Sequence, residues 1–296
     1  MLNKKNVFLH VGIGKTGTTA LQKNLFKTRQ ANSSKYFYPN IGIQDAGHRQ
    51  LAKENQKKIP ENIRKMYQLI INNFKRVNTP NMIISSEFLY TMKPGFIKEL
   101  SEIFNKFDTK IIFSIRNQLD LIPSVFLEWV KDGLDYENTI NSFYESHKES
   151  FDFEGKASVW IKYFGEQALI FKLYDKNLIK ENITLDFLNS ININNCSGFS
   201  NADYNPSILP EFAKFLTFLD KWQVKKQTRY KLVKRLIFLS SKFKNSSKSK
   251  ILNKKLKQRI IKNHRESNIR IANKYLNDIE ARHFLRGFIN FSFNKI

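Results

Sequence analysis

The chain has 296 residues, with 50 Lys or Arg against 26 Asp or Glu and a formal net charge of +24. Its single cysteine, Cys196, excludes an intrachain disulfide framework and a cysteine-cluster metal site, and no run approaches the ~18 apolar residues of a membrane span. With 26 Phe and 11 Tyr to build a core, and no Pro/Gly/Ser-rich linker or internal repeat, residues 1–296 read as one domain.

Residues 6–12 open the pattern as a short β-branched and aromatic strand. Two lysines precede it, but the run is brief and flows into a glycine turn, so it reads as a strand and not as a secretion signal. The stretch VFLHVGIGKTGTT then leads into a helical pattern over 18–30. Strand, tight turn and helix N-terminus make a site for a phosphate or sulfate group, because turn N–H groups and the positive helix end face one anion. Lys15 adds a formal charge, and Thr16, Thr18 and Thr19 offer hydroxyls. Gly12, Gly14 and Gly17 let the backbone turn close to a ligand. The loop is not the nucleotide-triphosphate P-loop, which needs a glycine five residues before the one preceding the lysine; that position holds Leu9, inside the strand.

A shorter strand is expected near 35–38, a loop carrying His48 in QDAGHRQLAKE, and a helix over 60–76. A second long strand, 81–86, runs into Glu87, a lone glutamate in IISSEFLY that suits a base better than a metal ligand. Helix 94–107 precedes a third strand, 109–115, whose apolar β-branched run predicts burial. Arg116 follows at once, and Ser124 eight residues on. The latter lies in a helix over 120–131, with Pro123 in its first turn and Gly133 as its stop. A guanidinium fork holds a phosphate bidentately, and a hydroxyl adds a donor. Helices 136–148 and 154–164 come next, then a strand over 168–173 ending at Tyr174. Helices 207–222, 229–243, 250–263 and 266–278 complete the chain. Strands alternating with helices predict an α/β fold with a central parallel sheet flanked by helices, and a helical C-terminal extension. Ligands of such sheets bind at the carboxyl ends of the strands, where Lys15, Glu87, Arg116 and Tyr174 all fall.

Residues 221–265 hold 17 of the 50 basic side chains and no Asp or Glu. Trp222, Tyr230, Val233, Leu236, Ile237 and Phe243 recur among them at roughly helical spacing. Such a segment can lie on an anionic membrane surface or grip an acidic polymer, or serve only as a solvated face. No groove-reading or base-stacking motif accompanies it, which argues against nucleic acid.

KTGTT, with its lysine at the start of the turn, resembles the 5′-phosphosulfate loop of sulfotransferases that use 3′-phosphoadenosine 5′-phosphosulfate (PAPS). The strand end SSEFL, the segment from Arg116 to Ser124, LIFKLYDKNL with LDFLNSI, YNPSILPEFAKFL and SNIRIANKYL extend the resemblance over most of the chain, toward the bacterial, carbohydrate-acting kind. The resemblance implies a sulfotransferase fold akin to that of P-loop NTPases, PAPS as donor, PAP as product and no required metal. It implies that Gly14, Lys15, Thr16, Gly17, Thr18 and Thr19 hold the 5′-phosphosulfate, and that Arg116 and Ser124 hold the 3′-phosphate. Lys15 then stabilises the leaving group. Glu87 serves as general base, with His48 as a substrate contact or the alternative base. His10, inside a strand, reads as structural, and His147, His264 and His283 show no metal spacing.

Two departures stand out. Ala20 occupies the place of the adenine-stacking tryptophan of the small-molecule branch, which leaves Tyr174 as a platform by position. The C-terminal RKG-type phosphate loop of that branch is absent, and a residue of the lysine-rich segment could replace its charge. Both point toward sulfation of a hydroxyl, or secondarily an amine, on a saccharide or glycolipid. The alternatives are a P-loop nucleotide kinase or related phosphotransferase, and a non-catalytic polyanion or membrane-surface binder. The expected location is the cytoplasm, extending to the inner membrane surface.

Overall fold

The computed structural model describes residues 4–134, 139–201, 208–221, 226–242 and 251–289. Four strands, β1 (Asn6–Gly12), β2 (Asn81–Ser85), β3 (Asp108–Ile115) and β4 (Leu169–Leu173), pair in the order β2-β1-β3-β4, all parallel. Eleven helices among the described residues accompany them. They are α1 (Thr18–Thr28), α2 (Glu61–Arg76), α3 (Pro94–Phe104), α4 (Gln118–Asp132), α5 (Ile140–His147), α6 (Phe153–Phe164), α7 (Ile183–Ser190), α8 (Pro210–Lys221), α9 (Lys226–Lys242), α10 (Lys254–Tyr275) and α11 (Asp278–Phe284).

Both faces of the sheet are covered, which is why its strands are nearly continuous apolar runs. The period of two sorts them cleanly. Val7, Leu9, Val11, Ile84, Ile111 and Phe113 enter a large core with Tyr67 and Phe74 of α2, Phe96 and Leu100 of α3, Ile122 of α4 and Trp160 of α6. Phe8, Ile83 and Ile112 point the other way, into a smaller core with Leu21 and Leu25 of α1 and Phe187 and Leu188 of α7.

Several expectations from the sequence need correction. The run 35–38 contributes a single parallel bridge, Phe37 to Met82, and Pro39, which has no N–H to donate, ends the pairing. The two helices expected over 250–263 and 266–278 are one, α10. Pro123 is not in a first turn: α4 begins at Gln118, capped by the Asn117 side chain, and Pro123 lies inside it. Gly133 does end that helix, at φ 73°. No element was expected beyond 278, yet Asp278–Phe284 forms the separate α11 behind a capping box of Asn277 and Glu280. Residues 135–138, 202–207, 222–225 and 243–250 lie outside the described residues, and with them parts of the expected helices 136–148, 207–222, 229–243 and 250–263 and the side chains of Trp222 and Phe243 in the basic segment. Among the described residues no helix is long and apolar enough to cross a membrane.

The strand order fixes where a ligand can sit. From β1 the chain crosses to β2 on one side, then returns to β3 on the other. The β1 loop therefore leads to α1 on the small-core face, and the β3 loop leads to α4 on the large-core face. At such a reversal the two loops diverge and leave a crevice beyond the carboxyl ends of the strands.

Candidate functional site

The crevice is built first from the turn after β1. Gly17 caps α1 in the left-handed region at φ 76°, and Lys15, at φ 70°, shares that region at a cost glycine would not bear. Thr16 is buried and its hydroxyl donates to the Ile13 carbonyl at 2.7 Å, bracing the turn from within. Thr18 is buried and Thr19 half-buried in the first turn of α1. Among the described residues the N–H groups of Gly14 to Gly17 have no protein acceptor, and a Cβ placed on Gly14 would meet nothing within 4 Å. That is a cradle of unspent donors with room before it, which suits a sulfate or phosphate oxygen set.

Lys15 does not stand alone. Its ammonium lies 2.7 Å from Oε2 of Glu128 on α4, which also pairs with Lys131 at 2.6 Å. Burial pushes the Lys15 pKa down, and Glu128 only partly restores it. Burial opposes ionisation of Glu128 as well, but the two ammonium groups outweigh it and hold that carboxyl below its ordinary range. The asymmetry follows from the neighbours: the carboxylate has two ammonium groups beside it, while for Lys15 burial outweighs Glu128 and Asp132, and Lys131 opposes its charge.

Arg116, directly after β3, joins the two loops: its Nη1 donates to the Lys15 carbonyl at 3.2 Å. Its guanidinium lies 5.7 Å from the ring centre of Tyr174, and the Tyr174 N–H donates to Ile115 O at 2.8 Å. Tyr174 also closes over Gly17, where an added Cβ would stand 2.7 Å from its ring and 2.0 Å from Ile183. A cleft of about 150 Å³ opens here between Arg116, Asp120, Tyr174, Asp175, His283 and Arg286. Arg286 pairs with Asp120 at 2.8 Å, and His283 with Asp175 at 2.9 Å. Ser124 is placed differently from Arg116. It is buried on α4 and its hydroxyl donates to the Asp120 carbonyl at 2.8 Å. A larger hollow of about 550 Å³ near Asn6, Pro80 and Asp108 lies at the amino ends of the strands, away from these loops.

Glu87 follows β2 and opens a short 3-10 turn. Arg49 forms an ion pair with Oε1, and the Gln22 amide of α1 donates to Oε2 at 3.0 Å. Gln22 also donates to Ser85 Oγ at 3.1 Å, and Ser85 Oγ is 2.7 Å from Nδ1 of His10, whose Nε2 is 2.7 Å from Ser114 Oγ. A polar chain thus runs from Glu87 beneath the turn to β3. Beside it, Ser86 Oγ and Arg49 Nε are buried without a partner. Burial lowers the His10 pKa to about 4, although the Glu87 charge works the other way.

His48 is fully buried, with Nε2 donating to the Pro39 carbonyl at 3.0 Å and Nδ1 accepting the Ser85 N–H at 3.1 Å. A carbonyl only accepts and an amide N–H only donates, so the tautomer is fixed and both ring nitrogens are committed. Burial lowers its pKa to about 4. The structure therefore brings Lys15, Arg116 and Tyr174 to one crevice, sets Glu87 on the polar chain behind it, and keeps the His48 ring within the fold. Among the described residues no group of three His, Cys, Asp or Glu is arranged to hold a metal.

Sequence reasoning passed over Glu128, Gln22 and Arg286. Glu128 had a signal: it lies four residues beyond Ser124, on the same face of α4. Gln22 had one too, as a polar residue four positions after Thr18 on the inward stripe of α1. Arg286 had none, since its partner Asp120 is 166 positions away.

No protein-family model matches the chain. An uncharacterized protein of Archaeoglobus fulgidus is 30% identical over 118 residues, which span 38% of this chain and 30% of that protein. Among solved structures, the crystal structure of a sulfotransferase from Alicyclobacillus acidocaldarius aligns at 15% identity with a TM-score of 0.41, covering 76% of this chain and 94% of that one.

Proposed function

We propose that the chain transfers a sulfuryl group from PAPS to a hydroxyl of a saccharide or glycolipid. The observation that carries this reading is the Arg116–Lys15 junction, two cationic loops joined at the sheet's reversal point with unspent N–H groups between them. A nucleotide carrying phosphate at both ends of its ribose needs two separate anion sites, and Lys15 and Arg116 begin them. Arg286, across the cleft, adds a second guanidinium near Arg116, in the role first expected of the lysine-rich segment. Tyr174 offers a ring face beside it.

The donor supplies an activated sulfur–oxygen bond. The acceptor oxygen forms a bond to sulfur as the bond to the 5′-phosphate breaks, and the acceptor proton leaves. Lys15 opposes the charge that gathers on the bridging oxygen, where a preorganised cation counts most. Glu87, oriented by Arg49 and Gln22, takes the proton. His48 has no free ring nitrogen for that task, so the reading assigns the base to Glu87.

Thermal unfolding with PAP, against ATP with magnesium, tests the proposal in wild type, Arg116→Ala and Lys15→Ala. Ligand at about 100 times its Kd stabilises by roughly 2.7 kcal/mol. Selective stabilisation by PAP, lost in Arg116→Ala, is expected, as is loss of turnover from PAPS in Lys15→Ala. Stabilisation by ATP and magnesium alone would replace this reading with a phosphotransferase.

A further inference from the structure

The basic segment carries a feature that transfer chemistry does not use. Helix α9 turns Val233, Leu236 and Ser240 into the protein, while Arg229 anchors it by donating to the carbonyls of Val130 and Lys131 at the end of α4. Its other face holds two stripes at helical spacing. Tyr230, Lys234 and Phe238 form one; Lys231, Arg235, Leu239 and Lys242 form the other, and all seven are exposed. Tyr230 and Phe238 are each 61% exposed and Leu239 is 40% exposed. Lys234 sits 4.5 Å over the Tyr230 ring and Lys242 4.7 Å over that of Phe238. No acidic residue occurs along the helix.

A merely solvated lysine face has no need of an outward Phe and Leu between its charges. Interleaved cations and large apolar side chains are what a helix lying in a headgroup layer presents: the charges meet lipid phosphates while the rings and Leu enter the acyl boundary. We propose that α9 docks the protein on an anionic lipid bilayer through Tyr230, Phe238 and Leu239 flanked by Lys231, Lys234, Arg235 and Lys242. The docking face reaches the crevice through one chain of contacts, because Arg229 holds Lys131, and Lys131 pairs with the Glu128 that pairs with Lys15. Resting on the sulfuryl-transfer reading, this placement favours a lipid-carried saccharide as acceptor. The docking itself is independent of that reading and is tested without donor.

The experiment is co-sedimentation of the full chain with phosphatidylcholine vesicles, with and without phosphatidylglycerol. Three variants are compared with wild type: Phe238→Ser/Leu239→Ser, which keeps every charge; Lys231→Ser/Lys234→Ser/Arg235→Ser; and Lys58→Ser/Lys65→Ser/Lys98→Ser, which removes three exposed charges elsewhere. Binding only to the anionic vesicles is expected. It should weaken about tenfold in the apolar variant and roughly a hundredfold in the α9 charge variant, and persist in the third. Equal losses in the two charge variants would overturn the proposal in favour of general attraction by a polycation. Unchanged binding in the apolar variant, with polyanions such as heparin or DNA held as tightly as vesicles, would overturn it in favour of an acidic polymer.

Discussion

At the scale of single residues, the crevice is governed by how its charges are paired. Glu128 occupies the side of Lys15 that an incoming anion would seek. A like charge a few ångströms from a bound phosphate or sulfate opposes it by up to a few kcal/mol at the effective dielectric of a partly buried site. Glu128→Gln is therefore expected to tighten PAP binding by about tenfold, read by calorimetry, while Lys15→Ala loosens it. Unchanged or weaker binding in Glu128→Gln would show that the carboxylate is needed to place the lysine, and that its charge does not compete. Gly17 has no such freedom to vary. Alanine there would put a Cβ at φ 76° and within 2.0 Å of Ile183, so the loop or Tyr174 must move.

At the scale of elements, the site depends on where one helix begins. Asn117 is buried, its side-chain oxygen accepts the Leu119 N–H, and its amide donates to the carbonyls of Phe284 and Arg286 at 2.8 and 2.9 Å. One side chain thus caps α4 and ties the turn bearing Arg286 to the end of β3, beside Arg116. Removing the cap costs about 1 kcal/mol, and two stranded carbonyls add about as much each. Asn117→Ala should lower the Tm by several degrees and weaken PAP binding, whereas Asn117→Ser, which still caps but leaves the two carbonyls stranded, should regain only the cap's share of stability and no affinity. Full affinity in both variants would remove Arg286 from the site. The strands were legible because burial on both faces leaves long apolar runs, and the β1 turn because glycine, lysine and threonine are local signals. Helix α10 was misread as two because His264 and Asn268 interrupt its apolar stripe. Both are buried, and they bond to Tyr144 and Gln118 on other elements. Polar residues satisfied by distant partners look like surface when read along the chain. Glu128, Arg286 and the Gln22–Ser85–His10 chain escaped for the same reason.

At the scale of the whole molecule, the buried imidazoles make the fold sensitive to acid, with a definite sign. His10 lies at the centre of the sheet and His48 beneath the loop beside β2, and burial lowers both pKa values to about 4. An unfolded histidine titrates near 6.5. Between those values the unfolded chain binds protons that the folded chain refuses, so stability is complete above about pH 6.5 and declines as pH falls toward 4. Each ring contributes about 2 kcal/mol of that decline between pH 7 and pH 5. For a chain of this size a loss of both moves the Tm by roughly 6 °C. His48→Gln removes one titrating ring while leaving an amide that can donate to Pro39 and accept from Ser85. It should be less stable than wild type at pH 7, yet lose only about half as much Tm between pH 7 and pH 5. His10 reports on the site as well, because the charge of Glu87 favours its protonation. In Glu87→Gln that support is gone and the His10 pKa falls further, so the acid decline of that variant should extend to lower pH. Identical acid slopes in wild type, His48→Gln and Glu87→Gln would mean that other groups set the acid limit. A shallower slope in His48→Gln would assign half of the acid decline to that ring, and the displaced limit in Glu87→Gln would establish that Glu87 acts electrostatically on His10 through the middle of the sheet.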